Sequence, residues 1–236
     1  MTPFIGEGVR FSRLLAFGVG LATLPYLAYV ALAFVRYGSR GQTSKDEFGD
    51  PLLDQIMPTY EVVERRHKGV RARTETTFAA ACHLDLNRSA IVRSIFRARE
   101  MLLGGNSGEV IRALGLVDQA KAWGWAVLLE SPGREIVFGA VTQPWVANPI
   151  FRGLPAYEFL IFHEPGYIKI AWSLAADPVG PDESVARTET RVVATDAVAR
   201  SKFRIYWAFL SPGMILIRLL ALGLVKAEAE RVSRAT

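Results

Sequence analysis

The sequence contains one cysteine and three histidines in 236 residues, which limits the chemistry it can support. A lone thiol excludes an intramolecular disulfide, and Cys82 lies in an apolar stretch typical of a buried structural cysteine. The histidines at 67, 83 and 163 have no companion ligands at metal-binding spacing. The chain also lacks a nucleophile elbow, a zinc-protease motif and a phosphate-binding loop. We therefore predict no catalytic residue, no metal site and no cofactor.

Dense clusters of basic residues with interleaved aromatics are missing as well. The net charge is +5, and hydrophobic residues make up 50% of the chain, a composition that excludes intrinsic disorder. From Ala197 onwards seven Lys/Arg face only Glu228 and Glu230. Such a basic C-terminal segment suits an anionic membrane surface or an acidic partner, or is an ordinary solvated helix face. No nucleic acid partner is predicted, because no nucleic-acid-binding motif accompanies these charges.

One long uncharged run predicts a membrane anchor. Residues 14–35 contain no charge and are bracketed by arginines, and as a helix they would span roughly 33 Å, enough for a bilayer core. A cleavable signal peptide is the alternative, since Ala31-Leu32-Ala33 fits the small-x-small cleavage rule. We favour a retained, single-pass transmembrane helix in a bacterial plasma membrane, after an N-terminal flank at 1–13. The arginines on the two sides nearly balance, and we take the domain to be cytoplasmic.

The remaining chain reads as a tether and one domain. Residues 36–56 are polar, rich in glycine and without periodicity, and are predicted to be a linker. The domain covers 57–236 and begins with a strand at 60–72, followed by helices that start at Thr74 and Asn87. Alternating or β-rich runs then predict strands at 123–130, 134–141, 157–163, 167–176 and 185–194.

The C-terminal segment predicts a long helix capped by Asp196 and kinked at Pro212. Residues 205–225 are apolar enough to suggest a second membrane span. However, Arg204, Ser211 and Arg218 recur at seven-residue spacing and form a polar stripe. We interpret the segment as an amphipathic helix that covers a sheet, with the stripe turned away from the sheet.

The order of strand, two helices, antiparallel strands and long C-terminal helix resembles the SRPBCC or START-like superfamily. The resemblance is to the bacterial polyketide cyclase/dehydrase and lipid-transport relatives and covers about 57–232. The stretches that carry it are MPTYEVVE at 57–64, TFAAA at 77–81, ESPGREIV at 130–137, RTETRV at 187–192 and FRIYW at 203–207. It implies an α+β helix-grip fold, in which an antiparallel curved sheet grips the long helix and leaves an internal cavity for an apolar or lipid-like molecule.

Five residues are candidates for lining such a cavity: Trp145, Trp172, Tyr206, Gln143 and Glu189. The three aromatics suit a cavity wall, Gln143 precedes Trp145 at a strand end, and Glu189 is a polar group that could orient a ligand. Ordinary core packing and a surface cross-strand charge are the alternatives for these residues. We predict a membrane-tethered module that binds or transfers a hydrophobic small molecule. An enzyme of the cyclase or aromatase type, and an interaction protein with a filled cavity, remain open.

Overall fold

A computed structural model describes residues 24–37, 49–104 and 114–235. Residues 14–23 of the predicted anchor and most of the predicted linker lie outside the described residues. The helices are α1 (Leu24–Val35), α2 (Pro51–Ile56), α3 (Thr74–Cys82), α4 (Ala90–Leu103), α5 (Leu116–Ala122), α6 (Ala156–Ile161) and α7 (Ala197–Ala235). The strands are β1 (Val62–Val70), β2 (Ala126–Ser131), β3 (Glu135–Thr142), β4 (Ile168–Gly180) and β5 (Glu183–Ala194).

The five strands form one antiparallel sheet in the order β1-β5-β4-β3-β2. The first strand therefore pairs with the last, with Val62 opposite Val192 and Val70 opposite Ser184. The β2–β3 hairpin turns at Gly133, whose φ of 73° lies in the left-handed region that favours glycine. The structure confirms the predicted α+β class, the antiparallel sheet and the long C-terminal helix.

The two faces of the sheet are covered by different helices. Helices α3 and α7 pack on one face, where Phe138 and Leu174 join residues such as Ile217 of α7 in the largest apolar cluster. Helices α2 and α6 cover the other face, where Leu53 and Phe159 are fully buried. Strand β5 alternates between them as its sequence predicts, because successive strand residues point to opposite faces.

Helix α7 runs without interruption from Ala197 to Ala235. Asp196 caps its start by accepting hydrogen bonds from the backbone N–H groups of Val198 (2.7 Å) and Ala199 (2.8 Å), as predicted. Pro212 lies inside the helix, and the kink expected there stays a prediction. Among the described residues, α7 is the one helix that is long and apolar enough to cross a membrane.

The predicted strand at 157–163 is wrong: the structure has helix α6 over Ala156–Ile161 instead. The run Tyr-Glu-Phe-Leu-Ile has high β-propensity, but propensity is a weak guide where packing decides. A single turn of helix after Pro155 buries Phe159 completely and leaves Tyr157 exposed.

Residues 51–56, which were predicted to belong to the tether, form α2 and pack on the sheet. Asp50 caps this helix by accepting a hydrogen bond from Leu53 N (2.9 Å), and Pro51 occupies its first position. Both features favour helix initiation. Leu53 is fully buried and Ile56 nearly so, which makes this segment part of the domain core.

The orientation predicted for the polar stripe on α7 is wrong. Ser211 is fully buried and shares a hydrogen bond with the Tyr29 hydroxyl of α1 (2.9 Å). Arg218 donates to Glu64 O (3.0 Å) on strand β1. The stripe therefore faces the rest of the protein, because its polar groups find partners there.

Candidate functional site

A cleft of about 260 Å³ lies between α1, strand β1 and α7. It lies next to the long helix, on the same side of the sheet as the predicted cavity. Its lining residues come from three separate parts of the chain: Tyr29, Leu32, Ala33, Arg36, Tyr37, Glu61, Val62, Val63, Glu64, Arg66, Trp207 and Ile215. The long helix supplies one wall, the edge strand the floor and α1 the other wall.

One part of the cleft is apolar. Leu32 and Ala33 contribute from α1, Val62 from β1, and Trp207 and Ile215 from α7. Trp207 and Val62 belong to a cluster of buried and half-buried residues around Phe203. Apolar walls of this kind favour hydrocarbon over water, because burial of apolar surface is the main driving force for binding such groups.

The other part of the cleft is charged and hydrogen-bonded. Glu61 accepts hydrogen bonds from the Tyr37 hydroxyl (3.0 Å) and from Arg200 Nε (2.7 Å). Burial and the neighbouring Glu61 carboxylate raise the pKa of Tyr37 above its ordinary value, so its hydroxyl stays protonated and remains a donor. This pair holds the end of α1 against β1.

Glu64 is the buried acceptor of the cleft. It is 6% exposed, and its Oε1 atom lies 2.7 Å from Arg66 Nη2. That contact is an ion pair without hydrogen-bond alignment, so Oε1 has no hydrogen-bond donor among the described residues. The ion pair with Arg66 compensates the charge of this carboxylate, and a hydroxyl or amine of a bound molecule would add an aligned hydrogen bond to Oε1.

The five residues predicted to line a cavity are not brought together. Trp145 and Tyr206 share the cluster around Phe203, whereas Trp172 stacks on Phe138 in the largest core cluster. Gln143, which follows β3, donates to Gly166 O (2.8 Å) in the turn before β4. The described lining of the cleft includes neither these four residues nor Glu189.

Glu189 lies on the opposite face of the sheet and is 1% exposed. Its two carboxylate oxygens accept hydrogen bonds from Arg65 Nε (2.7 Å) and Arg191 Nε (2.6 Å). Arg191 also donates to Met57 O (2.8 Å) and pairs with Asp54 (2.7 Å), so it joins the sheet to α2. The described contacts of the Glu189 carboxylate are therefore ion pairs within the protein. The sequence indicates a cross-strand charge at the surface as the alternative to ligand binding and does not predict this burial.

A second buried polar centre surrounds Arg187 beneath α2. Its guanidinium pairs with Asp50 (2.6 Å), Asp177 (2.9 Å) and Glu135 (3.3 Å), and Asp177 also pairs with Arg134 (3.2 Å). A cleft of about 450 Å³ opens beside it.

The two most buried carboxyl groups of this centre, Asp50 and Glu135, have pKa values shifted in opposite directions. Burial, a hydrogen bond with Asp50 and the Asp50 charge raise the pKa of Glu135 to about 8. Burial alone would raise the pKa of Asp50, but Arg187 and hydrogen bonds lower it overall. At neutral pH the protonated Glu135 therefore accompanies an ionised Asp50, which balances the charge around Arg187 and Arg134.

Sequence reasoning missed Asp50, Glu64 and Glu135. One signal was available: Asp50-Pro51 is an N-cap followed by proline at the first helical position, a typical helix start. Glu64 and Glu135 lie in strands, where a charged residue usually marks a solvated position, so nothing in their local sequence indicates burial.

Comparison with known proteins finds no matching family model, no matching curated protein and no matching solved structure. Among the described residues, no group of three His, Cys, Asp or Glu side chains is placed to hold a metal ion.

Proposed function

We propose that this protein is a membrane-tethered, START-like helix-grip domain that binds an amphipathic, lipid-like molecule in the cleft between α1, β1 and α7. The observation that carries the proposal is the composition of that cleft. Its walls from Leu32, Trp207 and Ile215 are apolar, and Glu64 adds a buried carboxylate that pairs with Arg66 and has no aligned hydrogen-bond donor on Oε1 among the described residues. A ligand with a hydrocarbon part and a hydroxyl or amine donor fits both.

The topology supports the helix-grip part of the proposal. Three helices, α3, α4 and α5, separate β1 from the next strand, the last strand returns to pair with β1, and α7 follows and packs across the sheet. The sequence resemblance implies the same order with two helices after the first strand, so α5 and the later α6 are additions to it. The Trp172 ring packs against Phe138 and Trp125 at the centre of the sheet, so we place the ligand site at the edge of the sheet beside β1.

The volume of the cleft limits the size of the molecule that it can enclose. At about 260 Å³ it falls just below the range of roughly 300–1,000 Å³ that encloses drug-sized ligands. It would therefore take one acyl chain or one polar head with its first carbons, and leave the rest of the molecule outside. Attachment to the bacterial plasma membrane through the uncharged run at 14–35, whose second half is α1 and a wall of the cleft, would supply such molecules directly.

Blocking the cleft tests the proposal. Ala33→Phe places a ring into the lined space, whereas Ala31→Phe adds the same ring at an exposed position of α1 outside that lining and serves as the matched control. A fluorescent fatty amine or fatty alcohol should bind the unaltered protein and Ala31→Phe equally, and Ala33→Phe at least tenfold more weakly. Equal binding by all three proteins would show that the cleft is not the site.

A further inference from the structure

The outward side of α7 is apolar over most of its length. Six large hydrophobic residues on this side are 39–63% exposed: Val198, Ile205, Phe209, Leu216, Leu219 and Leu224. Exposed positions on α1 add Leu24, Tyr26, Leu27, Leu32, Phe34 and Val35. We call these twelve residues the α1/α7 outer surface. A patch of this extent on a described surface marks an interaction site rather than ordinary exposure.

The polarity of α7 is inverted relative to a helix that covers a soluble core. Its polar stripe faces the protein: Ser211 bonds to Tyr29, and Arg218 bonds to β1 and to the Thr190 hydroxyl of β5. Helices that face lipid place polar groups inward in this way, because hydrocarbon offers them no partner.

Helix α1 continues the same surface. The Tyr26 hydroxyl donates to Phe209 O (2.7 Å), and Arg204 Nε donates to Phe34 O (2.7 Å) with its guanidinium 3.8 Å from the Phe34 ring centre. Since α1 forms the second half of the uncharged run at 14–35, this half of the predicted anchor is itself part of the surface and packs along α7.

Basic residues stand at both ends of the α7 part of the surface. Lys202 is exposed in the first two turns, and Arg231, which pairs with Glu228 on the same helix, and Arg234 are exposed in the last three turns. Arg200, Arg204 and Lys226 lie at the same ends but are bonded to the rest of the protein, at Glu61, Phe34 O and Gly69 O. Long basic side chains at the border of an apolar face reach anionic headgroups while the face enters the acyl region. We propose that the α1/α7 outer surface is embedded in the headgroup–acyl boundary of an anionic bilayer, with α7 lying in the membrane plane.

A crossing orientation of α7 conflicts with its packing. Phe203 near one end of α7 packs with Val62, and Lys226 near the other end donates to Gly69 O (2.8 Å). Helix α7 therefore lies alongside β1 over the whole length of the strand. Strand β1 is an edge strand and carries Arg65, Arg66, His67 and Lys68 in sequence. A crossing helix would carry these residues into hydrocarbon, where charged side chains are strongly disfavoured. An in-plane helix keeps them in water.

This inference goes beyond the proposed ligand site, since it holds whether or not the cleft is occupied. Its test uses the full chain in vesicles of phosphatidylcholine and phosphatidylglycerol, with Cys82→Ser as background. A spin label is attached at single cysteines replacing Ile205, Phe209, Leu216 or Leu219. A cysteine replacing Val179, 60% exposed in the β4–β5 hairpin, is the aqueous control. Far-UV circular dichroism identifies variants that keep the fold.

We expect the labels on α7 to collide with oxygen several-fold more often, relative to a water-soluble nickel complex, than the label at 179. The depths at 205 and 219 should agree, because an in-plane helix holds them at one level. A depth difference approaching 21 Å, from 14 residues at about 1.5 Å each, would identify a crossing helix and overturn the proposal. Collision with nickel as frequent as at 179 would place the surface in water. Spin–spin broadening with loss of both collisions would place a second copy of the chain on it.

Discussion

Replacing Trp172 with alanine distinguishes a packed core from an open cavity between the centre of the sheet and α7. The Trp172 ring stacks on Phe138 with 4.5 Å between ring centres and meets Trp125 edge-on at 6.0 Å. Full burial of a large aromatic corresponds to a loss of about 3–5 kcal/mol on truncation to alanine. Trp172 is half-buried, which reduces that figure, while the two ring contacts add ~0.5–1.5 kcal/mol each. We expect Trp172→Ala to lower the free energy of unfolding by about 2–4 kcal/mol.

The assay is urea unfolding of the full chain in detergent, followed by far-UV circular dichroism because the substitution removes a fluorophore. Trp172→Phe is the control, since a smaller ring keeps the stack on Phe138 and should cost less than about 1.5 kcal/mol. Probe binding in the α1/β1/α7 cleft should be unchanged, because Trp172 is not part of its described lining. A loss below about 1 kcal/mol for Trp172→Ala, together with altered probe binding, would refute the packed stack and restore the cavity at this position.

Three further predictions concern the polar centre and α2. The pKa of Glu135 is about 8 in the folded protein, whereas the unfolded group ionises near its ordinary pKa. The free energy of unfolding should therefore fall as the pH rises from 5 to 8. In urea titrations, Glu135→Gln should remove this part of the pH dependence. Arg187→Met should lower the free energy of unfolding by about 3–5 kcal/mol, because it leaves buried carboxylates without their cation. A fragment that begins at Gly49 should unfold at higher urea than one that begins at Met57, since the shorter fragment lacks Asp50 and Leu53.

Each of these predictions has a contrary outcome. An equal pH slope in the unaltered protein and Glu135→Gln would mean that Glu135 is ionised in the folded state. An unchanged midpoint in Arg187→Met would show that the ion pairs contribute nothing net. Equal stability of the two fragments would mean that residues 49–56 do not stabilise the domain and belong to the linker. In each case the control is Val179→Ala, an exposed truncation that should change stability by less than about 0.5 kcal/mol.

Features set by local periodicity could be predicted from the sequence. The alternation of β5 separates Arg187, Glu189 and Arg191 from Thr188 and Thr190, and the structure places the two sets on opposite faces. The start of α7 at Asp196 follows from a single capping side chain. The class of the fold follows from the order of such elements, because each element has its own hydrophobic periodicity and its own capping or turn residues.

Features set by distant partners could not be predicted in this way. Arg204 and Ser211 face inward because α1 supplies their partners, and α1 is separated from them by about 170–180 residues. The raised pKa of Glu135 depends on its burial and on Asp50, which caps α2 and is 85 residues away in the sequence. Burial of a charge follows from three-dimensional contacts, so the residues that line or stabilise these sites have no local signature.

The central claim is that the protein carries an amphipathic molecule in the cleft beside β1. Native mass spectrometry of the full chain, released from detergent after purification from cell membranes, tests it most directly. The account predicts a bound molecule of defined mass on the unaltered protein and on Ala31→Phe, with its loss from Ala33→Phe. A spectrum of bare protein in all three cases, or an adduct that persists in Ala33→Phe, would contradict the claim.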